Sequence, residues 1–115
     1  MPAKEELYDR AVDHVAAGEL EAAAVAYREA LDLDPQYADA WEGLSMALAD
    51  LGRYGESVEA AMRVVELVPD DQLAYTNLSR IYQRAGDVAK AEEWAAKARV
   101  ADWKRQLKEG KDPGQ

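Results

Sequence analysis

The sequence predicts an all-α fold made of three two-helix units, and three observations lead to this prediction. Alanine supplies 23 of the 115 residues, whereas isoleucine occurs once and phenylalanine is absent, a composition that favours helices over strands. Apolar residues recur with helical spacing, as at Trp41, Leu44, Leu48 and Leu51. The chain also repeats itself with a period of 34 residues.

The period is carried by turn residues. Gly18, Gly52 and Gly86 are 34 residues apart, and Pro35 and Pro69 repeat the same interval. The period defines a first unit at 4–37, a second at 38–71 and a third at 72–105, each with two helices of roughly 14 residues around its glycine. One unit cannot bury its apolar face alone, so the units are expected to stack.

The helices follow from these units in order. The first helix carries the core stripe Leu7, Ala11 and His14. The first helix of the second unit carries the stripe Trp41, Leu44, Leu48 and Leu51. The second helix of that unit has its own apolar face, formed by Tyr54, Ser57, Ala61, Val64 and Val65. In the third unit, Trp103 stands where the second unit has a proline, so the last helix is expected to continue to Lys108.

The second unit resembles the tetratricopeptide repeat, and the resemblance covers about nine-tenths of the chain. The matching residues are Trp41, Leu44, Ser45, Leu48, Gly52, Tyr54, Ser57, Ala61, Val64 and Pro69. The family pattern also has small residues where the two helices of a unit touch, matched here by Ala11, Ser45, Ser79, Ala23, Ser57 and Ala91. The resemblance implies a right-handed α-solenoid with an extended C-terminal helix.

Departures from the pattern indicate where the array ends. Arg10 occupies a slot that is leucine in the later units, and Glu92 and Arg99 replace the apolar residues of earlier second helices. Polar residues at these places are typical of terminal units that face water. We expect one domain at 1–109 and a disordered tail at 110–115.

Composition excludes several classes of function. The chain has no cysteine, so disulfides and thiol chemistry are excluded, and its net charge of −9 argues against nucleic acid binding. The longest apolar run, 22–27, is too short to cross a membrane, and the N-terminus has no basic or hydrophobic leader. The prediction is a soluble, cytoplasmic protein.

No residue pattern predicts catalysis, a metal or a cofactor. The single histidine, His14, is interpreted as a packed core side chain. Glu5, Asp9 and Asp13 form a carboxylate stripe that is interpreted as a solvated face, because no facing ligands accompany it. The protein is therefore predicted not to be an enzyme.

In tetratricopeptide arrays the first helix of each unit lines a concave groove that receives a peptide. Carried over by resemblance, the lining residues here are Glu5, Tyr8, Val12, Val15, Asp39, Glu42, Met46, Ala49, Leu73, Thr76, Arg80 and Gln83. The sequence itself supports part of this assignment, since Tyr8, Val12 and Val15 form a second apolar stripe on the first helix. The alternative is that this stripe packs on N-terminal residues or is simply exposed.

The first reading is an adaptor that binds a protein or peptide segment with apolar and basic residues. Positions 1–71 hold 17 acidic and 5 basic residues, net −12, while 72–115 hold 6 acidic and 9 basic residues, net +3. The acidic part favours a basic partner, although it can also be a solubilising surface. Family members that clamp acidic heat-shock chaperone tails use cations at positions matched here by Tyr8, Val12, Gly43, Leu73 and Asn77, so such tails are not the predicted ligand.

The last helix offers a second candidate surface. Val100, Trp103 and Leu107 lie on one helical stripe beyond the repeat. The stripe is expected either to fold over the Val68-Pro69 turn or to contact another copy. Two further readings therefore stay open: a self-assembling scaffold, in which the groove or this stripe binds a second copy, and an accessory or chaperone subunit of an enzyme complex.

Overall fold

The structure, a computed structural model, describes residues 1–110, and in this range it contains six α-helices and no strand. The helices are α1 (Lys4–Ala16), α2 (Leu20–Leu33), α3 (Ala38–Asp50), α4 (Tyr54–Leu67), α5 (Gln72–Arg84) and α6 (Val88–Lys108). The all-α helical repeat fold is confirmed, with one helix pair in each 34-residue interval. No helix within 1–110 combines the length and apolar character needed to span a bilayer.

Each helix pair is joined by a turn that requires glycine. Gly18, Gly52 and Gly86 have φ angles of +77°, +78° and +87°, which side chains with a Cβ rarely adopt. In the second turn, the amide of Arg53 donates to the carbonyl of Leu48 at 2.8 Å and closes the end of α3. The 34-residue glycine period thus marks the same left-handed turn three times.

The apolar core lies between successive helices in two connected groups. The first group joins the first unit to the second, with residues from α1, α2, α3 and α4. It includes Leu7, Ala11, Ala23, Tyr27, Ala30, Leu44 and Leu48. The second group joins the second and third units and includes Ala49, Ala61, Leu78, Ile81 and Trp94. Because every group spans two units, no unit buries its core alone.

Small residues let the two helices of a unit approach closely. Ala11, Ser45 and Ser57 are almost fully buried, which confirms the small-residue positions taken from the sequence. The hydroxyl of Ser57 on α4 donates to the carbonyl of Ser45 on α3 at 2.7 Å. In the third unit the direction is reversed, because Ser79 on α5 donates to the carbonyl of Ala91 on α6 at 2.7 Å. Each of these hydroxyls therefore has a hydrogen-bond partner.

Equivalent aromatic residues fix the connections between units. The indole Nε1 of Trp41 donates to the carbonyl of Pro35 at 2.7 Å. Thirty-four residues later, the hydroxyl of Tyr75 donates to the carbonyl of Pro69 at 2.6 Å. The first helices of the second and third units, α3 and α5, are thus each tied to the proline turn that precedes them.

The last helix is longer than the others and continues to Lys108, as the sequence predicts. Gly110 lies in the turn after the helix, has a φ of +77°, and its amide donates to the carbonyl of Leu107 at 3.1 Å. The predicted tail, 110–115, begins at this residue. The rest of that tail, 111–115, lies outside the described residues. Glu92 and Arg99 are exposed, as expected for a terminal unit.

Candidate functional site

The outward face of α1 carries the second apolar stripe. Leu7 and Ala11 are buried in the core, whereas Val12 and Val15 keep 41% and 40% of their surface exposed. Of the three stripe residues only Tyr8 is half-buried, so the two valines are not covered by the N-terminal residues. They remain available to contact another molecule.

Tyr8 is held in a cluster of three tyrosines. Its ring centroid lies 5.7 Å from that of Tyr27 in an edge-on arrangement and 5.4 Å from that of Tyr37 in a tilted one. The ammonium of Lys4 lies 5.1 Å from the centroid of the Tyr37 ring. The sequence prediction missed Tyr37, whose only signal was an aromatic residue directly after the proline turn.

Carboxylates from two helices surround Tyr8. Burial is the largest influence that raises the pKa of the Tyr8 phenol, and the negative charges of Asp39, Glu42 and Asp9 raise this pKa further. The structure thus brings three predicted lining residues together, Tyr8 from α1 and Asp39 and Glu42 from α3. The result is a negatively charged surface beside the exposed valines of α1.

The predicted lining continues along α3 and reaches α5. Met46 is exposed, and Glu42 accepts a hydrogen bond from Nδ2 of Asn77 on α5 at 3.0 Å. Ala49, by contrast, is 1% exposed and packs in the second core group, so its assignment to the groove is wrong. A difference of three residues turns the side chain by about 60° around a helix, enough to move it from the surface into the core.

The α5 part of the lining is polar. Leu73 is exposed at the start of the helix, and the hydroxyl of Thr76 donates to the carbonyl of Gln72 at 3.2 Å. Arg80 and Gln83 are also exposed, and neither forms an ion pair or a side-chain hydrogen bond in the described part of the chain. Arg80 is therefore the free cation on this helix, since Arg84 is paired with Asp50 at 2.8 Å.

The stripe on the last helix is exposed. Val100, Trp103 and Leu107 keep 45%, 52% and 56% of their surface accessible. The expectation that they fold over the Val68-Pro69 turn is therefore wrong. The physical reason is that α6 continues as one helix, whose face opposite the core carries Trp103 and Leu107 away from the turn, while Val100 stays at the edge of a cleft that Pro69 also lines.

A cleft of about 900 Å³ lies between the end of α6 and the turn that joins α4 to α5. Its apolar wall includes Val65, Pro69, Tyr75, Trp94 and Val100, and its basic residues are Lys97, Lys104, Arg105 and Lys108. The sequence prediction missed this cleft. The available signal was the series of basic residues that runs beside the exposed stripe.

No reactive arrangement accompanies these surfaces. Nδ1 of the half-buried His14 lies 3.2 Å from Oε1 of Glu19, and no other titratable side chain pairs with this imidazole. Among residues 1–110, no group of three or more histidine, cysteine or acidic side chains is arranged to hold a metal ion. The described surfaces offer exposed apolar and charged side chains for contact with another molecule.

Comparison with known proteins connects this geometry to a family. The sequence profile of the tetratricopeptide repeat matches residues 8–72 and 47–105. Anaphase-promoting complex subunit 3 of Schizosaccharomyces pombe is 28% identical over 95 residues, which are 83% of this chain and 14% of that protein. This chain thus spans about one-seventh of the curated relative.

Solved structures have the same fold. A crystal structure of MamA aligns with a TM-score of 0.85 at 24% identity and covers 91% of this chain and 61% of that one. The tetratricopeptide domain of Sgt2 from Aspergillus fumigatus aligns with a TM-score of 0.80 at 20% identity. The alignment covers 89% of this chain and 68% of that one. The first tetratricopeptide domain of Spaghetti (RPAP3), bound to the HSP90 peptide SRMEEVD, aligns with a TM-score of 0.78 at 14% identity. The alignment covers 85% of this chain and 78% of that one.

Proposed function

Because the chain belongs to the tetratricopeptide repeat family, we propose that it is a non-enzymatic protein-interaction module that binds a peptide segment of a partner. The binding surface is the outward face of the first helices α1, α3 and α5, called here the groove surface. It consists of Tyr8, Val12, Val15, Asp39, Glu42, Met46, Leu73, Thr76, Arg80 and Gln83.

The observation that carries this proposal is the combination of exposed apolar and acidic side chains on neighbouring helices. Val12 and Met46 are exposed, and Asp39 and Glu42 lie close enough to Tyr8 to act on its pKa. A ligand that places an apolar side chain on the valine and a cation beside the carboxylates satisfies both features. We therefore propose a ligand with apolar and basic residues.

Acidic chaperone tails do not fit this surface. The RPAP3 domain binds a peptide whose sequence SRMEEVD is rich in carboxylates. Here the matched positions carry Tyr8, Val12, Gly43, Leu73 and Asn77, without a cation, and the amide of Asn77 already donates to Glu42. A carboxylate placed there meets like charge, which lowers affinity. Heat-shock chaperone tails stay outside the proposed ligands.

The proposed setting is an adaptor in the cytoplasm. A chain without cysteine needs no oxidising compartment for its fold, and its acidic surface favours solubility. The similarity to a subunit of the anaphase-promoting complex supports a role inside a larger assembly, as an alternative to a free adaptor.

A selection from a random peptide library tests the proposal. Immobilised protein should enrich peptides with apolar and basic residues, whose affinity is then measured in solution. Val12→Glu and Met46→Glu should each lower affinity at least about tenfold, because each places a carboxylate in the apolar contact. Val25→Glu is the matched control, since Val25 is an exposed valine on α2, outside the groove surface.

The selection also defines what would overturn the proposal. Enriched peptides dominated by acidic residues would contradict the proposed ligand chemistry. Equal losses of affinity for Val12→Glu and the Val25→Glu control would place binding outside the groove surface. Circular dichroism of each variant shows whether the fold is kept, as expected for substitutions at exposed positions.

A further inference from the structure

We propose that the α1 end of the groove surface (Tyr8, Val12 and Val15), together with the carboxylates of Glu5, Asp9 and Asp13 beside it, binds the end of α6 of a second copy, so that the protein assembles head to tail. The docking segment, called here the overhang, is 100–108, the C-terminal part of α6. This inference rests on the proposed function, because it names a partner for the same surface, and the partner is the chain itself.

The overhang carries the apolar and basic side chains that we propose for a ligand of the groove surface. Val100, Trp103 and Leu107 form an exposed apolar stripe, and a tryptophan that is 52% exposed is a typical anchor in a protein contact. Lys104 and Lys108 lie on the cleft side of this stripe. The chain thus contains an apolar and basic helical segment that nothing in the described residues covers.

The lengths of the two faces agree. The overhang extends over nine residues, which span about 12 Å along a helix. On α1, the carboxylates of Glu5, Asp9 and Asp13 are spaced over eight residue steps, also about 12 Å. The exposed Val12 and Val15 run beside this acidic series. Each helix therefore presents an apolar stripe with charge along one edge, negative on α1 and positive on the overhang.

The charges on both faces are available for a contact between copies. Glu5, Asp9 and Asp13 form no ion pair or side-chain hydrogen bond in the part of the chain that the structure describes, and neither do Lys104 and Lys108. This contrasts with many other surface charges, which are paired between or within helices. Complementary unpaired charges speed association and fix its orientation.

The contact must form between copies. α1 packs against α2 and α3, whereas α6 packs against α5, so α1 and α6 lie at opposite ends of the array. The overhang therefore cannot reach the α1 face of its own chain. Because the two surfaces differ, a pair of bound copies keeps one free groove surface and one free overhang, so the assembly grows as an open filament or closes into a ring.

The first experiment is light scattering of the full-length protein behind a sizing column, over a wide range of concentration and at low and high salt. The average mass should rise with protein concentration and fall with salt, because the charged part of the contact is screened. A mass that stays at the monomer value of 12.7 kDa under all conditions would overturn the proposal.

Complementary variants then test which surfaces meet. The overhang variant Trp103→Ser/Leu107→Ser removes the apolar anchor, and the groove variant Val12→Arg places a cation opposite the lysines. Each variant alone should remain monomeric, because one of its two surfaces is blocked. An equimolar mixture should give a dimer and nothing larger, since each partner supplies the surface that the other lacks. Lys90→Glu, on α6 outside the overhang, is the control and should assemble like the unchanged protein.

The outcomes separate this inference from the proposed function. If the overhang variant is monomeric while Val12→Arg still assembles, the overhang binds elsewhere and the inference is wrong. A mixture that stays monomeric likewise contradicts it. If the selected peptides bind the groove surface of a chain that never assembles, the proposed function stands. Only the inference that a second copy is the ligand is then rejected. Failure of peptide binding would instead count against the groove surface itself.

Discussion

The backbone of α3 at Gly43 lies directly against the ring of Tyr27 on α2. A Cβ placed on Gly43 would lie 2.3 Å from Cζ of Tyr27, far inside contact distance. Tyr27 is buried and packs edge-on against Tyr8, so its ring has little freedom to move away. A glycine inside a helix is thus required by the neighbouring unit.

Gly43→Ala should destabilise the protein by about 1–3 kcal/mol, because overpacking against Tyr27 outweighs the better helix propensity of alanine. The measurement is the free energy of unfolding in urea. Gly55→Ala is the matched control, since nothing lies within 4 Å of a Cβ at Gly55 in α4. It should stabilise the protein by up to about 1 kcal/mol. Equal effects of the two changes would contradict the close contact.

The two serines between α3 and α4 should behave as a coupled pair. Ser57→Ala alone should cost less than about 1 kcal/mol, because Ser45 can turn its hydroxyl toward the carbonyl of residue 57, as Ser79 does toward Ala91. Ser45→Ala should cost similarly little, since Ser57 keeps its own bond. The double variant should cost more than the sum by about 0.5–1 kcal/mol, as a double-mutant cycle measures. If the costs of the two single changes add up to the cost of the double variant, neither serine takes over the hydrogen bond that the other loses.

The bond from Tyr75 to the proline turn should contribute to stability. Tyr75→Phe removes a hydroxyl that donates to the carbonyl of Pro69 at 2.6 Å, and it should lower the free energy of unfolding by about 0.5–1.5 kcal/mol. Tyr82→Phe is the control, because the Tyr82 hydroxyl makes no hydrogen bond in the described residues. If both changes lower stability equally, the turn does not depend on this bond.

Acid should weaken the link between α1 and the first proline turn. The hydrogen bond from Lys4, followed by that from the amide of Gln36, lowers the pKa of Asp34, and the same contact raises the pKa of Lys4. The lowered pKa means that Asp34 stabilises the fold above its unfolded pKa, and that this contribution is lost as pH falls through the lower, folded pKa. The stability difference between the unchanged protein and Asp34→Asn should therefore shrink between about pH 5 and about pH 2.

Urea unfolding at a series of pH values measures this difference. Asp32→Asn serves as the control, because Asp32 is exposed and has neither an ion pair nor a side-chain hydrogen bond in the described residues. Its difference from the unchanged protein should stay nearly constant over the same range. A stability difference for Asp34→Asn that grows toward low pH would have the wrong sign for this contact.

Sequence reasoning predicted the fold well, because the fold depends on local and periodic signals. Gly18, Gly52 and Gly86 mark left-handed turns that few other residues tolerate, and the length of α6 follows from Trp103 in the place of a proline. Burial of Ser57 follows in the same way from helical spacing. These features need no knowledge of how distant residues meet.

The surfaces were less predictable, because they depend on angles between helices. Ala49 was placed in the groove although its side chain points into the core, and Tyr37 contributes to the tyrosine cluster from a turn. The bond between Asn77 and Glu42 joins two units, and no pattern within one helix indicates it.

The exposed residues Glu92 and Arg99 have a consequence for protein engineering. Their counterparts on α2, Ala24 and Leu31, are buried beneath the next unit. The same two positions are therefore apolar and covered on α2 but polar and exposed on α6. Glu92→Ala and Arg99→Leu, together with a shorter α6, should create an apolar surface on which an added fourth unit can pack, so the array can be lengthened from this end.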